Sequence, residues 1–216
     1  MDATETGRAV RARLLAAPAV TPIAAAGFEL FVARDFLGAE DCGALVRLID
    51  ADRAPSRIVG DHPDPEYRTS ETCNLDPYAP LTKRIEAKIA VLTGLDPAHG
   101  ETIQGQRYAA GQQFKAHHDF FHVGKPGWDE QERMGGQRTW TVMIFLDAPQ
   151  AGGQTFFPAA KLKISPRPGH LLAWNNLLDS GEPNESSLHQ GLPVEAGTKH
   201  IITKWYRERP WGAAIR

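Results

Sequence analysis

The first half of the chain contains both helical and irregular patterns of apolar and polar residues. Between residues 42 and 49 the apolar side chains recur at i, i+3, i+4 and i+7, which predicts a helix with one buried face. A second stretch of this kind covers 81–92 and is followed by Gly94, a residue common at helix C-termini. Residues 28–32 alternate and predict a strand, whereas 53–72 show little periodicity and predict a loop.

The second half of the chain is dominated by short stretches typical of β-strands, with turn residues between them. The predicted strands cover 103–109, 114–121, 138–147, 154–157, 162–165, 170–175, 187–193 and 198–207. Many short strands after two helices predict a mainly β fold, in which helices support a β-barrel or jelly roll on one side.

The length of 216 residues fits one domain, and β-barrels of this size commonly remain single. We expect residues 1–26 to form a short helix and a linker, and 27–216 to form the domain. Arginines before the mildly apolar stretch 14–26 resemble the start of a signal peptide. However, Asp2 and Glu5 lie in the same N-terminal region as the arginines, and Pro18 and Pro22 interrupt the apolar stretch, so we do not expect secretion.

Composition excludes some classes of partner. The formal net charge of −2 provides no global basic field for nucleic acid or an anionic membrane. The sequence has no run of about 20 apolar residues that could form a transmembrane helix. Cys42 and Cys73 are the only cysteines, which indicates a reducing compartment and therefore a cytoplasmic protein.

Two histidines and one aspartate are the candidate metal ligands. On a predicted strand, His117 and Asp119 point to the same face and can bind one metal ion, while His118 points the other way. His189 comes 72 residues after His117, so the fold must bring a distant strand alongside. Two imidazoles and a carboxylate are the donor set of the facial triad that binds non-haem Fe(II). Without His189, a histidine–aspartate pair is more often a surface or hydrogen-bonded pair.

Lys199 is a candidate anion-binding residue. It follows His189 by ten residues, and we predict a hairpin with its turn at 195–197. In a symmetric hairpin centred on Ala196, odd-numbered residues of both arms share one face, so Lys199 and His189 would face the same site. A bulge would break this parity, and a lysine after a turn is commonly just solvated.

These residues lie within a longer pattern. The chain resembles the prolyl 4-hydroxylase branch of the Fe(II)- and 2-oxoglutarate-dependent oxygenases over roughly residues 28–209. The matching segments are Arg107-Tyr108-Ala109-Ala110-Gly111, His117-His118-Asp119-Phe120-Phe121, Gly136-Gln137-Arg138-Thr139, Gly152-Gly153-Gln154-Thr155-Phe156-Phe157-Pro158, Pro168-Gly169, Ala173-Trp174-Asn175, Leu188-His189-Gln190-Gly191-Leu192-Pro193-Val194, Gly197-Thr198-Lys199 and Thr203-Lys204-Trp205.

The resemblance implies a fold and an activity. The fold would be a double-stranded β-helix, of the jelly-roll or cupin-like kind, with supporting N-terminal helices. The activity would be hydroxylation of a prolyl residue in a peptide or protein. The enzyme would use Fe(II), 2-oxoglutarate and O2, with ascorbate as a candidate reductant, and 27–216 would be the dioxygenase domain.

The resemblance also implies roles for individual residues. Lys199 would pair with the distal carboxylate of 2-oxoglutarate, Tyr108 would hydrogen-bond the co-substrate, and Thr141 is a further co-substrate candidate. Arg138 would lie near the peptide substrate. Trp205 faces the same way as Lys199 by strand parity, and from that parity we expect it to form a wall of the substrate pocket. The alternatives are a core tyrosine for Tyr108 and a surface salt bridge for Arg138.

Three features distinguish this chain within the resemblance. Phe114 stands where the family frequently has tyrosine, which puts a polar substrate contact there in doubt. His200 stands where the family often has tryptophan, a difference that we expect to affect packing. The polar, glycine-containing segment 122–137 directly follows the strand predicted for 114–121, and we expect it to be a mobile lid that faces the substrate.

Three alternatives to a prolyl hydroxylase are considered. The first is an oxygenase of the same superfamily that acts on another residue or on a free amino acid. The second, a nucleic-acid demethylase, is disfavoured because the chain lacks a basic surface and has lysine where those enzymes use arginine. The third is a barrel that binds metal or ligand as a sensor. The intact triad together with Lys199 argues against it, because a sensor does not need open coordination positions for oxygen.

Overall fold

The computed structural model describes residues 3–23, 27–57 and 63–212. This part of the chain contains the helices α1 (Ala3–Ala16), α2 (Ala39–Ala51), α3 (Pro80–Thr93) and α4 (Trp128–Arg133), with 3-10 turns at Pro97–His99 and Glu185–Ser187. The strands are β1 (Val20–Ile23), β2 (Leu30–Ala33), β3 (Ala54–Pro55), β4 (Glu71–Asn74), β5 (Gln104–Ala109), β6 (Phe114–His117), β7 (Arg138–Phe145), β8 (Ala151–Gly152), β9 (Thr155–Phe157), β10 (Leu162–Ile164), β11 (Leu171–Asn175), β12 (His189–Gly191), β13 (Val194–Ala196) and β14 (Thr198–Arg207). None of these helices is long and apolar enough to cross a membrane.

Two antiparallel sheets form the body of the molecule. The larger has eight strands in the order β1-β2-β11-β7-β14-β5-β4-β3, and the smaller has four in the order β10-β9-β12-β6. A third, two-stranded sheet pairs β13 with β8. The predicted mainly β fold with supporting helices is confirmed, and the two sheets are those of a double-stranded β-helix.

The two faces of the large sheet have different functions. Strand β7 shows this by alternation: Trp140, Val142 and Ile144 belong to a core shared with the helices. Met143 and Phe145 belong to a second core, which lies between the two sheets. Successive residues of a strand point to opposite faces, so each strand of this sheet contributes to both layers. The functional side chains lie on the face between the sheets.

The predicted helices of the first half are confirmed. Leu45 and Ile49 of α2, and Ile85 and Ile89 of α3, are buried in the helical core. Helix α3 ends where the sequence predicted, because Gly94 adopts the left-handed conformation (φ 75°) that glycine tolerates best.

The predicted linker at the N-terminus is wrong in one part. Residues 20–23 form the edge strand β1, which pairs with β2. The pattern concealed this strand because Pro22, which has no N–H to donate, is tolerated at a sheet edge. Val10 and Leu14 of α1 are buried in the helical core, so the N-terminal helix packs onto the domain.

Other boundaries differ from the predictions at polar positions. The strand predicted for 114–121 ends at His117, so Asp119 lies just beyond it. The predicted loop 53–72 contributes the short strand β3 and the start of β4, which pair with each other. The segment 122–137 contains helix α4, which its polar sequence did not reveal.

Candidate metal centre and the adjoining cavities

The three predicted ligands meet between the sheets. His117 ends β6 and His189 begins β12, and these two residues are direct partners across the small sheet. One ligand atom of each of His117, Asp119 and His189 lies within 4.8 Å of the others, the single group of this kind among the described residues. Asp119 Oδ1 is 4.0 Å from His117 Nε2, and Asp119 Oδ2 is 3.7 Å from His189 Nε2.

Backbone carbonyls orient both imidazoles. The Nδ1 of His117 lies 2.7 Å from the carbonyl oxygen of Lys115, and the Nδ1 of His189 lies 3.0 Å from that of Ser187. A carbonyl oxygen only accepts, so each Nδ1 carries the proton and each Nε2 presents its lone pair to the centre. Such hydrogen bonds to the second nitrogen are usual for metal-bound histidines.

Asp119 is held by a chain of hydrogen bonds that the sequence did not predict. The hydroxyl of Thr141 donates to Asp119 Oδ2 at 2.7 Å, and the Nδ2 of Asn176 donates to the same hydroxyl at 2.9 Å. Thr141 and Asn176 are fully buried. The hydrogen bonds therefore orient the carboxylate towards the two imidazoles.

The protonation states suit a divalent cation. Burial lowers the pKa of His117 to about 3, and the neighbouring His189 acts in the same direction. Burial opposes ionisation of Asp119. Its electrostatic interactions with His189, His117 and Arg138, together with the hydrogen bond from Thr141, outweigh burial, so the pKa of Asp119 lies below the ordinary value. A neutral imidazole beside a carboxylate is a donor pair that Fe(II) accepts, and the residues present fit this metal.

Lys199 lies at the inner end of a cavity that reaches the metal ligands. Its side chain is 1% exposed, and its ammonium donates to the Gly153 carbonyl at 3.0 Å and lies 4.4 Å from the Tyr108 ring centroid. Burial lowers the pKa of Lys199 to about 8, although Asp147 opposes this shift. We call this the co-substrate cavity, after the role that the resemblance implies for Lys199. Its lining residues are Gln106, Tyr108, Phe114, His117, Asp119, Met143, Thr155, Trp174, His189, Gly191, Lys199, Ile201, Thr203 and Trp205.

The predicted hairpin between His189 and Lys199 is wrong, although both residues line this cavity. His189 lies on β12 of the small sheet, and Lys199 lies on β14 of the large sheet, where its Cα partner is Tyr108. Strand β13 intervenes and pairs with β8. The two side chains therefore face each other from opposite sheets, and the parity argument does not apply.

The two further co-substrate candidates have different surroundings. Tyr108 lines the cavity, is 2% exposed, and its hydroxyl donates to Gln106 Oε1 at 3.1 Å. The hydroxyl of Thr141 is engaged by Asp119 and Asn176, and Thr141 does not line the cavity. The structure therefore corrects the role predicted for Thr141: it positions a metal ligand.

A second, wider cavity of about 440 Å³ opens beside the metal ligands. Aromatic rings form much of its wall, together with the two predicted substrate residues, Arg138 and Trp205. The lining residues are Arg57, Tyr67, Arg68, Asn74, Glu101, Thr102, Gln104, Phe114, His117, His118, Asp119, Phe120, Phe121, Arg138, Trp205 and Trp211. We call this the substrate groove.

Arg138 is part of a buried ion network at the floor of the groove. Its guanidinium donates twice to Glu101, from Nε at 2.6 Å and from Nη2 at 2.8 Å. It also covers the Trp205 ring, at 4.1 Å from the centroid, and Nη1 lies 3.4 Å from the Asp119 carbonyl oxygen. The network supports the wall of the groove, a function that sequence alone did not reveal.

His118 faces the groove and takes no part in the group of metal ligands. Its Nε2 lies 3.1 Å from the Glu185 carbonyl oxygen, and its ring stacks on Phe120 with centroids 4.5 Å apart. The prediction that His118 points away from the metal ligands agrees with this placement, although β6 has already ended there.

The base of the predicted lid is tied to the domain. The side chain of Gln137 accepts from the Phe121 N–H at 2.6 Å and donates to the Phe121 carbonyl at 2.7 Å. Arg207 donates to the Gly136 carbonyl and to Gln131 Oε1. Between these points the segment carries α4. Phe121 and Arg138, which flank the segment, line the groove, whereas no residue of 122–137 does, so the expectation that this segment faces the substrate is not met in this structure.

Two functional residues were missed by the sequence analysis. Asn176 follows the buried strand β11, and a polar residue after a buried strand is the signal that could have found it. Gly153 belongs to the Gly-Gly pair already noted, but its carbonyl contact with Lys199 depends on the fold.

Comparison with known proteins agrees with this geometry. A model of the 2OG-Fe(II) oxygenase superfamily matches residues 103–207. Human prolyl 4-hydroxylase subunit alpha-1 is 36% identical over 154 residues, which are 70% of this chain and 28% of that protein. The chain thus spans little more than a quarter of that relative's length. Probable prolyl 4-hydroxylase 8 of Arabidopsis thaliana is 32% identical over 201 residues, 82% of this chain and 67% of that protein.

Solved structures are similar over most of the chain. A viral collagen prolyl hydroxylase from Paramecium Bursaria Chlorella virus-1, crystallised as a complex with 2OG, aligns with a TM-score of 0.64 at 26% identity. The alignment covers 82% of this chain and 94% of the viral one. A Trichoplax adhaerens prolyl hydroxylase, bound to a peptide fragment of hypoxia inducible factor, shares the fold, with a TM-score of 0.61 at 15% identity over 95% of this chain and 90% of that one.

Proposed function

Since the chain belongs to the prolyl 4-hydroxylase-like branch of the 2OG-Fe(II) oxygenase superfamily, we propose that it hydroxylates prolyl residues of a peptide or protein. One observation carries the proposal. The His117, Asp119 and His189 group lies where a narrow cavity that ends at the buried Lys199 meets a wide aromatic groove. The first cavity suits a small dianion, and the second suits a peptide.

The chain's own residues bind and orient the reactants. When bound, Fe(II) with 2-oxoglutarate and O2 supplies the chemistry, in which 2-oxoglutarate is decarboxylated to succinate and an unactivated C–H bond becomes C–OH. His117, Asp119 and His189 would hold the metal through two Nε2 atoms and a carboxylate. Lys199 would pair with the distal carboxylate of 2-oxoglutarate, which supplies the negative partner that a buried ammonium needs.

The walls of the co-substrate cavity exclude water. Trp174, Met143 and Ile201 are buried there and surround the path from Lys199 to the metal ligands. Removing water strengthens the attraction between an ammonium and a carboxylate, because the local dielectric constant falls. Thr141 and Asn176 fix the Asp119 carboxylate, so its orientation does not depend on the co-substrate.

The groove suits an extended, proline-containing segment. Tyr67, Phe120, Phe121, Trp205 and Trp211 line it, and aromatic walls are the usual surface for recognition of proline rings and polyproline II segments. The Trichoplax relative, which shares the fold, binds a peptide. A free amino acid would occupy only a small part of a groove of about 440 Å³.

The proposed compartment is the cytoplasm. Cys42 and Cys73 are both buried free thiols, which fit a reducing environment. Ascorbate is the proposed reductant, and turnover is therefore measured with and without ascorbate.

Turnover assays test this function. The purified chain is incubated with Fe(II), 2-oxoglutarate and proline-containing peptides, and succinate release and a +16 mass shift on proline are measured. We expect both signals from the wild-type chain and neither from His189→Ala. Succinate with a shift on another residue or on free proline would favour the alternative oxygenase. No succinate with any substrate, despite stoichiometric metal binding, would favour the sensor.

A further inference from the structure

A buried histidine behind the co-substrate cavity has two acidic partners. His200 is 4% exposed and lies on the helical side of β14, next in sequence to Lys199, which faces the cavity. Its Nδ1 lies 2.5 Å from Asp147 Oδ2, and its Nε2 lies 3.3 Å from Asp50 Oδ1. Carboxylates accept hydrogen bonds, so both ring nitrogens donate here, and a ring with two N–H groups is the imidazolium cation.

The same contacts join three parts of the molecule. Asp50 belongs to α2, His200 to β14, and Asp147 follows β7. The backbone N–H of His200 also donates to Asp147, at 2.6 Å to Oδ1. Asp147 therefore receives two hydrogen bonds from one residue, and its position is set by β14.

Asp147 begins the segment 147–153, whose far end contacts Lys199. The segment carries β8 and turns back through Gly152 and Gly153, both with positive φ, so that the Gly153 carbonyl accepts the hydrogen bond of the Lys199 ammonium. Adjacent residues of β14 therefore hold the two ends of one segment, His200 from the helical side and Lys199 from the cavity side. Segment 147–153 therefore connects the contact of His200 with Asp147 to the contact of Lys199 with Gly153.

The charges around the imidazole favour its protonated form. Asp147 and Asp50 are the acidic groups in contact with the ring. Arg107, its Cα partner on β5, lies 3.4 Å from Asp50 Oδ1 through Nε. Arg53 contacts the same oxygen at 3.2 Å, so Asp50 is shared among three cations, and both arginines also pair with Glu71.

Burial and the carboxylates act in opposite directions on this ring. Burial would lower the pKa of His200, but the hydrogen bonds and charges of Asp147 and Asp50 outweigh burial and raise that pKa above the ordinary value. Cys42, a buried thiol near Asp147, has a raised pKa and stays neutral here. Asp147 also acts on Lys199, where it opposes the loss of the proton.

We propose that His200 is a positioning residue for co-substrate binding: as an imidazolium it fixes Asp147 and, through segment 147–153, the Lys199 ammonium, so that 2-oxoglutarate affinity falls when His200 is deprotonated. The inference rests on the proposed function, since it concerns the same anchor. In the neutral ring one nitrogen carries a lone pair and no proton. Either Asp147 or Asp50 then loses its hydrogen bond from the ring, and its carboxylate repels that lone pair.

The pH profile of co-substrate affinity tests the proposal. The KM for 2-oxoglutarate is measured between pH 6 and 9 for the wild-type chain, His200→Gln and Asp147→Asn. We expect each variant to raise the KM at least threefold at pH 6.5. For His200→Gln the ratio to wild type should fall towards one at pH 9, because the titration of Lys199 is common to these two proteins and cancels. Asp147→Asn also removes a charge that opposes proton loss from Lys199, so its ratio should stay above one at pH 9. A histidine that lines neither cavity provides the control, His170→Gln, whose ratio should be one throughout.

A structural role alone gives a different result. A ratio that is constant with pH, or a ratio of one at pH 6.5, would overturn the proposal. NMR titration of the His200 ring provides a second measurement that does not need turnover or metal. We expect the ring to titrate above pH 6.5 in the wild-type chain and lower in Asp147→Asn, and a ring that is neutral at pH 6.5 would refute the imidazolium.

Failure of the proposed function is distinguishable from failure of this inference. Binding of 2-oxoglutarate to the Mn(II)-loaded chain is measured by calorimetry. If the wild-type chain binds metal but no 2-oxoglutarate at any pH, the proposed function and the coupling are both wrong, whatever the NMR titration shows. If it binds with the same affinity as His200→Gln at every pH, only the coupling is wrong.

Discussion

At the residue scale, the chemistry of the centre depends on which atom each side chain presents. The Nδ1 atoms of His117 and His189 are occupied by backbone carbonyls, so the Nε2 atoms converge on Asp119. Thr141 uses its hydroxyl on the carboxylate oxygen that is nearest His189. Each ligand therefore has one partner that fixes its orientation before any metal binds.

Metal binding should distinguish neighbouring histidines. His117→Ala removes an Nε2 donor from the group and should abolish stoichiometric binding of Fe(II) or Mn(II). His118→Ala removes a ring that stacks on Phe120, and this variant should retain metal binding. Calorimetry and metal analysis of the two purified variants measure this difference. Loss of metal binding from folded His118→Ala would show that His118 is a metal ligand.

Co-substrate binding should depend on the charge of Lys199. Lys199→Ala should raise the KM for 2-oxoglutarate at least tenfold, because loss of a charge-assisted hydrogen bond at a desolvated site costs roughly 2–3 kcal/mol. Metal content should be nearly unchanged. The exposed lysine of β10 provides the matched control, Lys163→Ala, which should leave the KM within twofold of wild type. An equally small effect at Lys199 would place the anchor elsewhere.

The affinity of the free enzyme for 2-oxoglutarate should also fall at alkaline pH. Burial lowers the pKa of Lys199 to about 8, so the ammonium is present below that pH and is lost as the pH rises through it. Calorimetry on the metal-loaded chain should therefore show a dissociation constant that rises above about pH 8. In Lys199→Ala this increase should be absent, and its persistence there would assign the titration to another group.

At the scale of elements, contacts between distant segments determine the function of several residues. Arg138 begins β7, but its partner Glu101 precedes β5, and its Nη1 reaches the backbone of Asp119. Lys199 and His189 face each other from different sheets. In both cases the predicted site residue has its place because of a partner that no local pattern indicates.

Arg138→Ala should therefore impair both reactions of the centre. A contact with the peptide alone, the role that the resemblance implies for Arg138, would cost peptide-dependent turnover and leave uncoupled decarboxylation of 2-oxoglutarate intact. The structure predicts that both fall, since the guanidinium supports Trp205 and the Asp119 backbone as well as Glu101. Steady-state kinetics of the two reactions measure this.

The control for Arg138 is an arginine with an exposed ion pair. Arg209 pairs with Glu132, and Arg209→Ala should change neither reaction, because exposed pairs contribute little. Arg138→Ala should also lower the free energy of unfolding. Removing one partner of a buried ion pair costs about 3–5 kcal/mol when the remaining charge has no other partner. The cost should be smaller here, because Glu101 keeps its hydrogen bond from Arg207. Selective loss of peptide-dependent turnover in Arg138→Ala would instead indicate a contact with the peptide alone.

At the scale of the whole molecule, the helices and the large sheet form a scaffold, and the site lies on the opposite face of that sheet. Residues of α1, α2 and α3 share one core with the helical side of β7 and β14. The small sheet covers the other side and contributes His117 and His189. The N-terminal helix α1 should therefore contribute to the stability of the domain.

Adjacent leucines of α1 test this. Leu14 is 0% exposed in the helical core, and Leu14→Ala should lower the free energy of unfolding by about 2–5 kcal/mol, as buried leucine truncations do. Leu15 is 55% exposed, and Leu15→Ala should change it by no more than about 0.5 kcal/mol. Urea unfolding curves of the two variants measure both. Equal, small effects would mean that the domain is stable without α1.

The amino-acid sequence by itself determined what depends on short-range pattern and on residue chemistry. The helices α2 and α3, most strands and the donor set of His117, Asp119 and His189 follow from periodicity and from ligand chemistry. The tertiary structure alone decided which groups meet across large separations in the chain. It engaged Thr141 with Asp119 and Arg138 with Glu101, and it placed Lys199 opposite His189 from another sheet. Such contacts depend on which distant strands lie side by side. The pattern within one strand indicates which face each side chain takes but does not identify the neighbouring strand.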